Sequence, residues 1–400
     1  MSDNQLKITV IRLEEVRLGM CLAQPIMSPD GEKLLEQGTV LDSQALIDKL
    51  VSTGVSKVLV DMGNSLIDTH TPSEKAADEQ AFREEIDEPD TIIDNLRQEL
   101  GVAKKIYESA QQIVAEVMQN IRLGKNVNNR DIATAADDLI LSVTRNPNAL
   151  MSLVNLRKRD EYTFNHSINV AVIALSVARH LNIREPILQQ IGIAAIMHDI
   201  GKTRVPMRLL AKSAKLSLDE FEIVKMHPVF GVEICRTEGF TDEIILDMVR
   251  HHHESYDGKG YPDQLDGHRI SRYAALVAIA DCYDALTTDR AYKPRVEPPE
   301  AIHLINSMAN VKFDRRLVFH FIKTIGIFPI GSIVELASGK IAMVVGFSRR
   351  NLLKPILKVI LNRDGSRNSR RDVIVLGSSD EQIANLSPDF RFLGSMEEVL

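Results

Sequence analysis

The sequence predicts a mainly α protein, with a small α+β domain at its start and a short β-rich appendage at its end. Three observations predict this. Apolar residues recur at three- and four-residue spacing from about Ile92 to Ile325, the period of a buried helix face. Ahead of that region, "KITVIRL" and "SKVLVDM" are short β-prone runs separated by turn signals. After "GIFPIG" the pattern becomes short again, in β-prone runs around Ser-Gly and Arg-Asp-Gly turns.

Residues 1–68 hold the two β-prone runs, the turn "SPDGEKL" and a helical "SQALIDKLVSTG", and form the α+β domain. Residues 69–91 are acidic and poor in large apolar side chains, which suits a solvated linker. Residues 92–140 are connecting helices, with Ile93, Leu96, Leu100, Ala103 and Ile106 on one face. Residues 141–326 make the main helical domain, and residues 327–400 the β-rich appendage.

A chain of 400 residues exceeds one hydrophobic core, and 44% apolar with 26% charged residues is the composition of a folded protein. The net charge of −7 excludes a broad footprint for polymeric nucleic acid, while leaving room for a local basic pocket for a small anion. Cys21, Cys235 and Cys282 are scattered, form no CxxC pair, and read as small buried hydrophobes in a reducing compartment. The start "MSDNQLKITV" lacks a basic segment followed by an apolar one, and no run approaches a membrane span. A cytoplasmic protein without membrane contact is expected.

His166 begins a helical face continued by Val170, Ala174, Val177 and Leu181, and His198-Asp199 closes the apolar run "ILQQIGIAAIM". A lone histidine on such a face is more often a satisfied core residue than a ligand. The set is different: His166, His198, Asp199, His227, His252, His253 and Asp281 all lie at the ends of apolar helical runs, where several helices can converge them. Burying so many titratable groups without a cation is costly. Imidazoles and carboxylates without thiolate suit Fe, Mn or Zn, and fit neither a structural zinc site nor an iron–sulfur cluster. A carboxylate beside a histidine can bridge two ions, which suggests a two-metal hydrolase.

"HDIGK" (His198 to Lys202), with "NHSINVA" before it and "KMHP", "HHESYDGKGYP" and "IADCYDALTTDRAYK" after it, resembles the HD-GYP family of cyclic di-GMP phosphodiesterases, a branch of the HD-domain metal-dependent phosphohydrolases. The likeness spans about His166 to Lys293. "HD" alone is a weak motif; "HHExxDGxGYP" downstream of "HDIGK" is specific. The resemblance implies a helical HD-type core over residues 141–326, with His166, His198, Asp199 and Asp281 on one metal. Asp199 bridges to a second ion held by His227, His252 and His253. His251 is then spare, and is expected to be exposed or helix-capping. Asp284 is expected to orient a ligand instead of binding an ion. Gly258 and Gly260 permit φ-positive backbone, and Pro262 stiffens the exit, so Tyr261 is expected on a defined turn beside the ligands.

The expected reaction is opening of cyclic di-GMP by a dinuclear metal-activated hydroxide, giving linear pGpG, with GMP as a further product. Asp199 and Lys202 are the expected catalytic residues, Lys202 standing one turn after Asp199 on the same helix face. Lys202, Tyr261, Arg290 and Lys293 are expected to contact substrate, the last two because guanidinium and ammonium groups suit phosphate and guanine. The cofactors are two divalent transition metal ions, Fe or Mn ahead of Zn or Ni. A third ion in this family uses a glutamate one turn before the first histidine; here Tyr162 holds that place, with Glu161 beside it, so two metals are expected. The resemblance also implies a GYP-loop surface for diguanylate cyclases of the GGDEF type, and leaves a homodimer open. The first domain resembles an uncharacterised domain often found ahead of HD-GYP modules and is expected to be regulatory. Two alternatives are another HD-type nucleotide phosphohydrolase and a non-catalytic cyclic di-GMP receptor. The GYP loop argues against the first and the intact ligand set against the second.

Overall fold

The computed structural model describes residues 8–13, 16, 20, 22–27, 33–36, 39, 41, 57–61, 89–155, 162–212, 214–289, 295–348, 351–370, 372–386 and 396–400. The chain divides into two compact units, Met1–Ile86 and Asp87–Leu400. The first contains strands β1 (Ile8–Arg12), β2 (Ile26–Met27), β3 (Lys33–Leu35) and β4 (Lys57–Asp61). β1 pairs antiparallel with β4, Val10 opposite Leu59, and β2 pairs with β3. Leu22, Leu41, Val58 and Val60 form its buried core. The helix expected over "SQALIDKLVSTG" lies outside the described residues, as does Cys21.

The second unit opens with α1 (Pro89–Arg122), which begins within the stretch expected as linker. Its 34 residues extend about 51 Å. Ile93, Leu96, Leu100, Ala103, Tyr107, Ala110 and Val114 make its buried stripe. α2 (Asn129–Arg145), capped by the Asn128 side chain, and α3 (Pro147–Asn155) follow. α4 (Tyr162–His180) is buried on every side from Ser167 to Ala178, so it is the central helix around which the others pack. α5 (Ile187–Met197) lies against it and runs into a 3₁₀ turn, Ile200–Arg204.

Short α6 (Met207–Leu210) and α7 (Leu218–Val224) lead to α8 (His227–Thr237) and α9 (Glu243–His251), the latter capped by Asp242. α10 (Arg272–Thr287) packs on α4, and α11 (Pro298–Ser307) and α12 (Arg315–Ile325) complete the helices before the sheet. Strands β5 (Ile333–Leu336), β6 (Ile341–Ser348), β7 (Asn351–Leu361), β8 (Val373–Val375) and β9 (Ile383–Leu386) form one antiparallel sheet in the order β8-β7-β6-β5-β9. A last turn, α13 (Met396–Val399), follows. Val334, Val344 and Leu357 of the sheet belong to the same apolar core as α1 and α4.

Candidate metal centre

The histidines enter the centre mostly from helix ends, where local carbonyls hold their rings. His198 directly follows α5, His227 opens α8 and His252 directly follows α9. Each donates its Nδ1–H to the carbonyl three residues back, Ala195, Val224 and Val249 respectively, at 2.8 Å. A carbonyl only accepts, so Nδ1 carries the proton and Nε2 is left as an electron-pair donor. His166, inside α4, instead donates Nδ1–H to Asp284 Oδ2 of α10 at 2.7 Å, the outer partner that fixes a ligand's tautomer and raises its basicity.

Asp199 stands between two groups of donors. Its Oδ2 lies 3.6 Å from His166 Nε2 and 3.5 Å from His198 Nε2. Its Oδ1 lies 3.3 Å from His227 Nε2 and 4.0 Å from His252 Nε2. His166, His198 and Asp199 therefore offer one set of donor atoms, and Asp199, His227, His252 and His253 another, each set within 4.8 Å. Asp281 flanks both, 3.1 Å from His166 Nε2 and 3.8 Å from His253 Nδ1.

Two buried atoms here, His198 Nε2 and Asp199 Oδ1, make no hydrogen bond. Buried lone pairs gathered without donors are unfavourable, and a cation between them satisfies them together. The nitrogen and oxygen donors, with no thiolate among them, fit a first-row divalent ion.

Charge is arranged to match. Burial keeps His198 and His252 neutral, the latter well below the usual imidazole range, with neighbouring imidazoles adding to the effect on His252. Burial likewise pushes His253 down to about 3. Burial opposes ionisation of Asp199 and Asp281 too, but the Lys202 ammonium outweighs it at Asp199 and the His166 bond does so at Asp281, holding both carboxyls well below their usual range. His166 is the exception: burial opposes its proton, yet the bonds to Asp281 and Asp284 raise it to about 9.

Backbone packing sets the distance between the donor sets. A Cβ on Gly201 would lie 1.9 Å from His227 O and 2.5 Å from Gly231 N, so only glycine lets the turn after Asp199 touch α8. Lys202 departs from expectation here. It does not continue a helix face from Asp199, because α5 ends at Met197 and Lys202 lies on the 3₁₀ turn. That tighter turn still brings its Nζ to 2.5 Å from Asp199 Oδ2, with the side chain 37% exposed.

The loop after His253 is fastened from beneath. Buried Glu254 accepts hydrogen bonds from the Asp263 N–H at 2.7 Å and the Leu265 N–H at 3.0 Å. Gly258 has φ +74°, as expected, but Gly260 serves differently: a Cβ there would lie 2.4 Å from Glu254 Cα. Tyr261 is thereby held with its ring 4.8 Å from that of His253 and 6.3 Å from that of His227. Burial, then Asp281 and Asp199, push the Tyr261 phenol up.

His251 is neither exposed nor a cap, which corrects the sequence expectation. Its side chain is 14% exposed, with Nδ1 at 2.7 Å from Asp247 and Nε2 at 2.9 Å from Asp263. Burial opposes its proton, but Asp247 and then Asp263 outweigh burial and raise it. Arg250 clamps the same Asp263 carboxylate through two bonds, of 2.6 and 2.8 Å. Asp247, Glu254 and Asp263 are thus residues that sequence reasoning missed, although the glutamate directly follows the histidine run. Arg290, Lys293 and Glu161 lie outside the described residues, as does the Tyr162 side chain.

A family model described as "HD domain" matches residues 145–317, and one described as a domain of unknown function (DUF3391) matches residues 8–132. A Pseudomonas aeruginosa protein named cyclic di-GMP phosphodiesterase PA4108 is 33% identical over 90% of this chain and 88% of its own. A Thermotoga maritima protein named cyclic di-GMP phosphodiesterase is 33% identical over 41% of this chain and 45% of its own. Among solved structures, an HDG"Y"P protein from Bdellovibrio bacteriovorus matches 79% of this chain and 98% of its own, at 18% identity and a TM-score of 0.44.

Proposed function

Because the chain belongs to the HD-GYP family of cyclic di-GMP phosphodiesterases, we propose that it hydrolyses a 3′,5′-phosphodiester bond of cyclic di-GMP to linear pGpG, and to GMP when the second bond is cut as well. Water adds to phosphorus, the P–O3′ bond breaks, and the 3′ oxygen leaves with a proton. One observation carries this reading: a single buried carboxylate, Asp199, with histidine nitrogens facing both of its oxygens.

On this reading His166, His198, Asp199 and Asp281 hold one divalent ion, and Asp199, His227, His252 and His253 a second, Fe or Mn ahead of Zn or Ni. Bound there, the ions supply an acidified water and neutralise phosphate charge. The residues do the rest. Imidazoles with Nδ1 tied to carbonyls hold their rings in place, and His198 and His252, kept neutral by burial, need lose no proton first. The Lys202 ammonium, seated on Asp199 Oδ2 and partly exposed, offers its charge to a phosphate oxygen beside that carboxylate. Tyr261 walls the His227 and His253 side of the cleft against water. Arg290 and Lys293, in "TTDRAYK", bind the dinucleotide by charge and hydrogen bonding.

The division at residues 68, 91, 140 and 326, a regulatory first domain, a cytoplasmic location, docking of GGDEF-type diguanylate cyclases at the GYP loop and a homodimer belong to the same proposal. No described helix is long and apolar enough to cross a membrane. The test is to incubate metal-loaded protein with cyclic di-GMP and separate the nucleotides. Conversion to pGpG supports the reading. Intact cyclic dinucleotide beside bound metal would overturn it.

A further inference from the structure

Helix α7 buries none of its residues, although its sequence "LDEFEIV" carries Leu218, Phe221 and Ile223. Polar contacts hold it instead. Ser217 and Glu220 form a reciprocal capping box, and Lys212 Nζ meets Glu220 Oε2 at 2.5 Å. The one aromatic ring of this helix turns towards the metal centre. Phe221 stands edge-on to Tyr261, with centroids 6.3 Å apart and planes at 80°. Tyr261 in turn lies against His253 and His227. Lys225, just past the helix, sets its Nζ 5.1 Å from the Phe221 centroid and 5.9 Å from that of Tyr261. Glu222 holds that ammonium at 2.6 Å.

A row of rings therefore runs from the donor atoms to the surface and ends in a phenyl group still 41% exposed, with a cation beside it. A phosphodiester seated at the centre must project its nucleosides outward, and on the His227 and His253 side the first ring they meet is Tyr261. Phosphate-binding groups take any phosphodiester, so preference for a nucleotide over a simple diester has to come from what the bases meet. Every base has a π-face, and an exposed ring beside a bound phosphate is a platform for it.

We infer that Phe221 is a substrate-binding residue that stacks a base of the substrate and so favours a nucleotide over a simple diester, with Lys225 fixing the Phe221 and Tyr261 rings relative to one another. The inference rests on the phosphodiesterase reading above. It extends the substrate site to a helix on the far side of Tyr261 from the metal donors.

The experiment compares steady-state kinetics of metal-loaded wild type, Phe221→Ala, Phe221→Leu and Phe221→Trp. Two substrates are used, cyclic di-GMP and its abasic analogue, the same cyclic bis-(3′,5′)-phosphodiester with hydrogen in place of each guanine, which has no ring to stack. Phe221→Ala and Phe221→Leu should each raise KM for cyclic di-GMP about tenfold with kcat kept, and Phe221→Trp should restore it. All three should cleave the baseless diester within about twofold of wild type, the scatter expected of a surface change. Leucine restoring KM as well as tryptophan would reduce Phe221 to packing and overturn the inference. Equal losses on both substrates would do the same. Wild type that cleaves the baseless diester but not cyclic di-GMP would instead remove the substrate reading, and the inference with it.

Discussion

The Glu254 carboxylate holds the backbone of Asp263, accepting its N–H at 2.7 Å from a side chain that is buried beside the metal donors. The same carboxylate accepts from Leu265, so one acidic residue fixes two nearby points of the chain that follows Tyr261. Glu254→Ala takes the charged acceptor from two partly buried N–H groups. It is expected to lower stability by about 2 kcal/mol, measured by urea unfolding. Its KM for cyclic di-GMP should rise because Tyr261 is no longer held. An unchanged unfolding midpoint would show that the loop is anchored elsewhere.

Asp199→Ala is expected to abolish activity and most metal binding together, since both donor sets share this residue. The loss should exceed the roughly 100-fold typical of losing a residue that only orients a ligand. Elemental analysis beside a turnover assay checks it. Full metal content with wild-type turnover would take Asp199 out of the centre.

The metal-free protein should be most stable near pH 6.5. His166 keeps its proton to about 9 in the fold, against about 6.5 for a free imidazole, so its contribution is complete below about 6.5 and disappears as pH rises through about 9. His253, pushed down to about 3, acts in the opposite sense: its contribution is present above about 6.5 and is lost as pH falls towards 3. Urea midpoints in chelator at pH 5, 6.5 and 9.5 read both limbs. His166→Gln should flatten only the alkaline one.

Arg290→Ala should weaken substrate binding by about 1.5–3 kcal/mol, the size of one charge-assisted contact. The loss should appear in KM. A collapsed kcat with unchanged KM would assign Arg290 to the chemistry.

Two ions per chain are expected, because the residue one turn before His166 is Tyr162, whose neutral phenol is a poor partner for a hard or borderline cation. Anomalous scattering at the metal edge counts them. A third ordered peak on Glu161 or Tyr162 would refute this expectation.

The helical period made the core legible, and the spaced histidine and aspartate motifs named the side chains that the fold gathers around Asp199. What fastens them was not legible. A side chain reaching from His251 or Arg250 to Asp263 spans a turn whose path depends on Gly260 lying against Glu254, a contact no periodicity encodes. For Lys202 the apolar run before "HDIGK" predicts a continuing helix, whereas α5 stops at Met197 and the chain tightens beyond it. Phe221 escaped notice because its neighbours on α7 bury nothing, so no stripe marked it.

The touching of two main-chain segments at Gly201 makes the spacing between the turn after Asp199 and α8 a property of the scaffold. A centre built in this way resists a change in the spacing of its backbone while its donor side chains stay exchangeable. Its selectivity can be retuned by exchanging donor types, while a wider cage would require an entire helix to be re-seated.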